Sequence, residues 1–226
     1  MGTRMAYDAI VFDNDGVLTT PTDRDALVEA VRAAFDEVGV NDPPDEHIET
    51  LLRPDVDSLR RMAAEHDVAP HDLWSARERA AIETQLEEIR AGRKRLYDDV
   101  DAVESLATTN AIVSNNQHET IGNILDHFDL AVDVWYGREP TLTGIDRKKP
   151  TPYYLELALE DLDATNPLYV GDSWVDVEAA DAAGIDSAYL WRDHARGYAE
   201  WTSSKPEHEI ESLATIADLV GPTAGR

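Results

Sequence analysis

Residues 7–16 read YDAIVFDNDG, and the change halfway along this stretch sets the reading of the whole chain. Tyr7-Asp8-Ala9-Ile10-Val11-Phe12 is an apolar run of strand length, the pattern of a strand buried on both faces. Asp13, Asn14, Asp15 and Gly16 follow at once. Two carboxylates one residue apart at the mouth of a buried strand repel each other. A hard divalent cation among them relieves that repulsion, because Mg²⁺ takes carboxylate, carbonyl and water oxygens and completes its shell with substrate phosphate.

Downstream, Leu27, Val28, Val31, Ala34, Phe35 and Val38 recur at helical spacing over residues 24–38, and Gly39 ends the pattern. Asn41-Asp42-Pro43-Pro44 breaks the chain. Helical patterns resume over 45–52, 55–66 and 71–91, separated by Pro54 and Pro70, and no strand pattern occurs between 19 and 96. Beyond that block the pattern alternates. Residues 99–108, 117–127, 153–160 and 175–183 read as helices, whereas 111–113, 132–136, 168–170 and 187–190 read as strands. Such alternation predicts βαβ units and a parallel sheet, interrupted after its first strand by a block of four helices.

The composition bounds the function. Asp and Glu total 46 against 20 Lys and Arg, only four of them lysines, for a formal net charge of −26. That field repels nucleic acid and anionic membranes, so neither is an expected partner. Aromatic and branched apolar residues recur along the chain, which argues for a folded protein rather than an acidic disordered one. An acidic, lysine-poor surface resembles that of proteins from salt-accumulating halophiles. Cysteine is absent, which excludes disulfides and thiol chemistry. The seven histidines show no zinc-binding spacing. No apolar run reaches membrane-helix length and no signal peptide opens the chain, so the cytoplasm is the expected compartment. Met1-Gly2 lacks the Ser or Thr of an acylation signal at position 6.

In a doubly wound sheet, ligands bind at the carboxyl ends of the strands. Those ends carry Asp13-Asn14-Asp15, then Ser114-Asn115, then Gly171-Asp172-Ser173 with Asp176 four residues on. Arg147-Lys148-Lys149-Pro150 lies between the last two. Ser114 and Lys149 suit a phosphate held beside the cation. A carboxylate in that position can attack phosphorus, and a second can protonate the leaving oxygen.

Four segments, in order, resemble the motifs of the haloacid dehalogenase superfamily: Asp13-Asn14-Asp15-Gly16-Val17-Leu18, Ile112-Val113-Ser114-Asn115, Lys149-Pro150 and Gly171-Asp172-Ser173-Trp174-Val175-Asp176. The resemblance spans residues 7–190. It implies a Rossmann-like parallel sheet core with helices on both faces, made of residues 1–16 and 97–226. Residues 17–96 would be an inserted α-helical cap. It further implies that Asp13 is nucleophile and metal ligand, and that Asp15 is general acid and base, its backbone carbonyl also meeting the metal. Ser114 and Lys149, with Asn115 beside them, would hold the phosphoryl oxygens. Asp172 would complete the Mg²⁺ ligands, Asp176 would support the metal shell or Lys149, and Gly16 would allow the sharp turn.

Asp15 argues against the dehalogenase and phosphonate-hydrolase branches, which lack this second aspartate. Phosphatase chemistry on a small phosphorylated metabolite, phosphoglycolate-like or sugar-phosphate-like, is the expectation, by a monomer or homodimer. A phosphomutase of the beta-phosphoglucomutase type is the alternative, although Thr19-Thr20-Pro21-Thr22 stands where such enzymes usually carry Asp and then His. A non-catalytic phospho-ligand binding protein is the third reading. Asn14 and Thr19 depart mildly from family usage. Arg53, Arg60-Arg61 and Arg93-Lys94-Arg95 are candidates to meet a second anionic group of the substrate.

Overall fold

The computed structural model describes residues 6–106, 108–193 and 204–220; Met1, Gly2 and residue 107 of the predicted 99–108 helix lie outside the described residues. Strand β1 (Ala9–Phe12) is followed by four helices: α1 (Arg24–Glu37), α2 (Asp45–Leu52), α3 (Val56–Glu65) and α4 (Pro70–Arg90). A single turn, α5 (Asp101–Glu104), precedes β2 (Thr109–Gln117), α6 (His118–Phe128), β3 (Val134–Arg138) and α7 (Leu142–Arg147). Then come α8 (Tyr153–Leu162), β4 (Pro167–Gly171), α9 (Trp174–Ala183), β5 (Asp186–Leu190), β6 (His208–Ile210) and a 3₁₀ turn (Leu213–Asp218).

The strands form one parallel sheet in the order β3-β2-β1-β4-β5-β6. Successive side chains of a strand point to opposite faces. Ile10 and Phe12 accordingly join one apolar cluster, with Ile121 and Ile124 of α6. Val11 joins another, with Leu155 and Ala158 of α8 and Ala180 of α9. Helices on both faces leave β1 fully buried, which is why residues 9–12 are apolar without alternation. The sheet is thus Rossmann-like α/β, as the alternation predicts.

The helices α1–α4 surround an apolar cluster of their own, including Phe35, Leu51, Leu59, Leu73 and Trp74. The chain enters and leaves this block along one short ribbon: Thr20 N–H donates to Arg95 O (2.8 Å) and Tyr97 N–H to Leu18 O (3.0 Å).

Four features differ from the sequence reading. The helix expected over 99–108 is, among the described residues, only the single turn α5, Asp101–Glu104. The α7 turn, six residues with Gly144 inside, is too short for a periodic signal; Thr141 Oγ1 caps it by accepting from Gly144 N–H (3.0 Å). Strand β6 spans three residues at the sheet edge, below the length at which alternation is readable. Strand β2 continues through Ser114-Asn115-Asn116 to Gln117, with its register shifted after Val113.

Candidate active site

Asp13 leaves β1 with its N–H donating to Val170 O of β4 (2.9 Å), between the two parallel neighbours of that strand. Gly16 turns the chain at φ +85, in the left-handed region that glycine enters without strain. The turn closes when Gly16 N–H donates to Thr19 O (2.7 Å) and Asn14 O accepts from the N–H groups of residues 17–19.

Carboxylate oxygens of Asp13, Asp172 and Asp176 lie within 4.8 Å of one another. The Lys149 ammonium sits against two of them, 2.9 Å from Asp13 Oδ1 and 2.6 Å from Asp176 Oδ1. It also donates to Val113 O (3.2 Å) and Tyr169 Oη (2.6 Å). Burial disfavours the lysine's charge, but Asp13 and Asp176 outweigh it and hold the ammonium well above the ordinary lysine range. Burial pushes the Asp13 carboxyl up to about 7; Lys149 opposes this, and the charges of Asp176 and Asp172 add to it. Three clustered carboxylates, two of them against the one ammonium, make an all-oxygen donor set that fits a hard divalent cation.

Asp176 is held on both sides. Its Oδ2 accepts from Ser173 N–H (3.1 Å) and Oγ (2.6 Å), closing the capping box of α9, while Oδ1 faces Lys149. The contact requires Gly171: a Cβ there would lie 2.2 Å from Asp176 Cβ. Ser114 is buried within β2, where the register shift begins, and its Oγ accepts from Asn116 N–H (3.2 Å). The Asn115 side chain is spent on Lys149, accepting from its N–H (2.7 Å) and donating to its carbonyl (3.0 Å). It therefore clamps two distant segments together.

The Asp15 carboxylate is not one of the three clustered carboxylates. Its Oδ1 accepts from Asn14 Nδ2 (2.9 Å), Thr19 Oγ1 (3.1 Å) and the Lys94 ammonium, and its Oδ2 from Asn116 Nδ2 (2.9 Å). Asn14 and Thr19, the two mild departures from the family pattern, thus brace this acid. Lys94 is wholly buried and faces inward, whereas Arg93 pairs with Glu88 and Arg60 lies near Asp57. Lys94, Asn116 and Tyr169 are missing from the sequence-based set of site residues. The first was singled out only as a candidate for the substrate's anion.

The family model for haloacid dehalogenase-like hydrolases matches residues 7–184. Phosphoglycolate phosphatase of Neisseria gonorrhoeae is 26% identical over 231 residues, covering 95% of this chain and 93% of that protein. Among solved structures, a CbbY variant from Rhodobacter sphaeroides in complex with xylulose-(1,5)-bisphosphate superposes with a TM-score of 0.69 at 20% identity, covering 95% of this chain and 99% of that one. A HAD-superfamily hydrolase of subfamily IA, variant 1, from Geobacter sulfurreducens superposes with a TM-score of 0.58 at 20% identity, covering 97% and 99%. With the match extending over most of the sheet and the whole helical block, the chain belongs to the haloacid dehalogenase-like hydrolases.

Proposed function

We propose that this hydrolase is a phosphatase that cleaves small phosphomonoesters through an aspartyl-phosphate on Asp13. The observation that carries the reading is the position of Asp13, at a strand end, beside Lys149 and the Asp172 and Asp176 carboxylates. The name of the 26%-identical relative supports the same chemistry. Asp13 Oδ attacks phosphorus while Asp15 gives a proton to the leaving oxygen. Asp15 then takes a proton from the water that cleaves the acyl phosphate, returning Asp13 and releasing phosphate. Lys149 and Ser114 hold the phosphoryl oxygens, and Asn115 positions Lys149.

Asp13, Asp172 and the Asp15 carbonyl would hold Mg²⁺. Asp176, with both oxygens already bonded, supports Lys149 instead. When bound, the ion offsets the negative charge of nucleophile and phosphate, which otherwise repel. Residues 17–96 act in this reading as the cap over the site.

Phosphate release from p-nitrophenyl phosphate and a panel of small esters, with and without Mg²⁺, tests the proposal. Turnover to free phosphate separates a phosphatase from both a phosphomutase and a binding protein. No release from any ester would overturn it.

A further inference from the structure

A cavity of about 280 Å³ opens between the helical block and the strand ends, lined in part by Asp15, Gln85, Asn116, Arg77 and Arg138. Its volume is at the lower end of the ~300–1,000 Å³ of typical ligand pockets, which suits a small substrate. Asp15 and Asn115, chain neighbours of the Asp13 and Ser114 regions, are part of its wall.

Arg77 comes from α4 and Arg138 from the end of β3. Buried Glu78 lies between them: Arg77 Nη1 donates to its Oε1 (2.7 Å), Arg138 Nη2 donates to the same oxygen (2.9 Å), and Arg138 Nη1 is 2.8 Å from Oε2. The two guanidinium carbons also lie 5.2 and 4.8 Å from the Trp74 ring centre. Arg77 is further fixed by donating Nε–H to Leu51 O (3.1 Å). Burial pulls Arg77 below the ordinary arginine range; Glu78 opposes this, and Arg138 adds to it. Two guanidiniums share one carboxylate on the cavity wall, which leaves one positive charge in surplus there; the nearby half-buried Lys148, which both arginines repel, is offset by Asp55 and Asp146 and does not line the cavity.

We propose that Arg77 and Arg138 form a subsite for a carboxylate on the substrate, so that the enzyme selects small phosphomonoesters bearing one carboxylate. This rests on the phosphatase reading. One carboxylate neutralises the surplus. A second phosphate, with about −1.5 to −2 charges, overshoots it, and a neutral hydroxyl leaves it bare. The arginines proposed from sequence, Arg53, Arg60, Arg61, Arg93 and Arg95, do not line this cavity.

Steady-state kinetics on 2-phosphoglycolate, 2-hydroxyethyl phosphate and ethane-1,2-diyl bisphosphate test it on the wild-type protein. Charge-assisted bonds to a buried arginine predict a kcat/KM about 10- to 100-fold higher for the carboxylate than for the neutral ester. Arg77→Gln and, separately, Arg138→Lys should each cut that ratio at least fivefold, chiefly through KM. A wild-type ratio near one, a preference for the bisphosphate, or an unchanged ratio in both variants overturns the subsite. Turnover of p-nitrophenyl phosphate without carboxylate preference defeats the subsite alone, and no turnover of any ester defeats the phosphatase reading with it.

Discussion

The ammonium of Lys94, where the chain returns from the helical block, is bonded to Oδ1 of Asp15, 79 residues earlier. Lys94 also donates to Thr20 O (3.1 Å) on the outgoing strand of the same ribbon. The carboxyl group proposed as proton donor is therefore anchored at both crossings between block and sheet.

Lys94→Met should impair the acid more than the fold. Breaking a buried ion pair typically costs ~3–5 kcal/mol, and the third of Asp15 that is exposed should reduce this to about 1–2 kcal/mol. Alkyl phosphates need a proton on the leaving oxygen and nitrophenyl phosphate needs it less, so kcat should fall several-fold more for the alkyl ester. Equal falls for both esters, measured in parallel, would reduce Lys94 to a structural role.

Asp15→Asn keeps the size of the side chain and removes its proton transfer. The expected loss is ~10²–10⁴-fold for alkyl esters, the range for general acid–base catalysis, with a smaller loss for nitrophenyl phosphate in the first step. Single-turnover measurements on both esters give the comparison, and identical losses would argue against the acid role.

Asp13→Asn should reduce turnover below a tenth of wild type while stabilising the metal-free protein. The folded Asp13 carboxyl lies near 7, above its ordinary 3.8, because burial and the adjacent carboxylates disfavour its charge. Its ionisation therefore costs the folded state increasingly as pH rises from about 4 to 7. The variant's gain in Tm should be present at pH 8 and vanish near pH 4. A variant no more stable than wild type at pH 8, by thermal unfolding in chelator, contradicts this electrostatic account.

Chelation should abolish turnover, and Mg²⁺ should restore it. Mg²⁺ should also raise the Tm of wild type, and Asp172→Asn should blunt that rise by removing one carboxylate of the cluster. Ca²⁺ should raise the Tm but support little turnover, because its larger, looser shell misplaces the nucleophile. Full activity after exhaustive chelation would sink the metal requirement.

Salt should stabilise the fold. At a net charge of −26, carboxylates repel across the molecule at ~0.01 M salt, where the Debye length is ~30 Å, but only at close range at ~1 M, where it is ~3 Å. Tm should therefore rise between 0.05 and 2 M KCl, while KM for an anionic ester rises as its attraction to Arg77 and Arg138 is screened. A Tm that stays flat or falls shows that the acidity is no salt adaptation.

The parallel sheet, and the polar residues that close its strands, are legible in residue order alone. Residues 9–12 could only be a doubly buried strand, and the polar residues at strand ends had to converge, because parallel strands all point their carboxyl ends to one side. Residue order alone thus placed Asp13, Ser114 and Asp172 at that side, whereas Lys149, beyond α7, entered through the motif resemblance. Tertiary structure decided what braces and surrounds them. Lys94 looked like one more cation in Arg93-Lys94-Arg95, and only the pairing of Leu18–Thr20 with 95–97 turns it inward to Asp15. Arg77 and Glu78 of α4 meet Arg138 of β3 only because the fold brings the helical block to the strand ends, and no local pattern records a contact between residues 60 apart. Charge burial of that kind is a property of the assembled surfaces rather than of any stretch of chain.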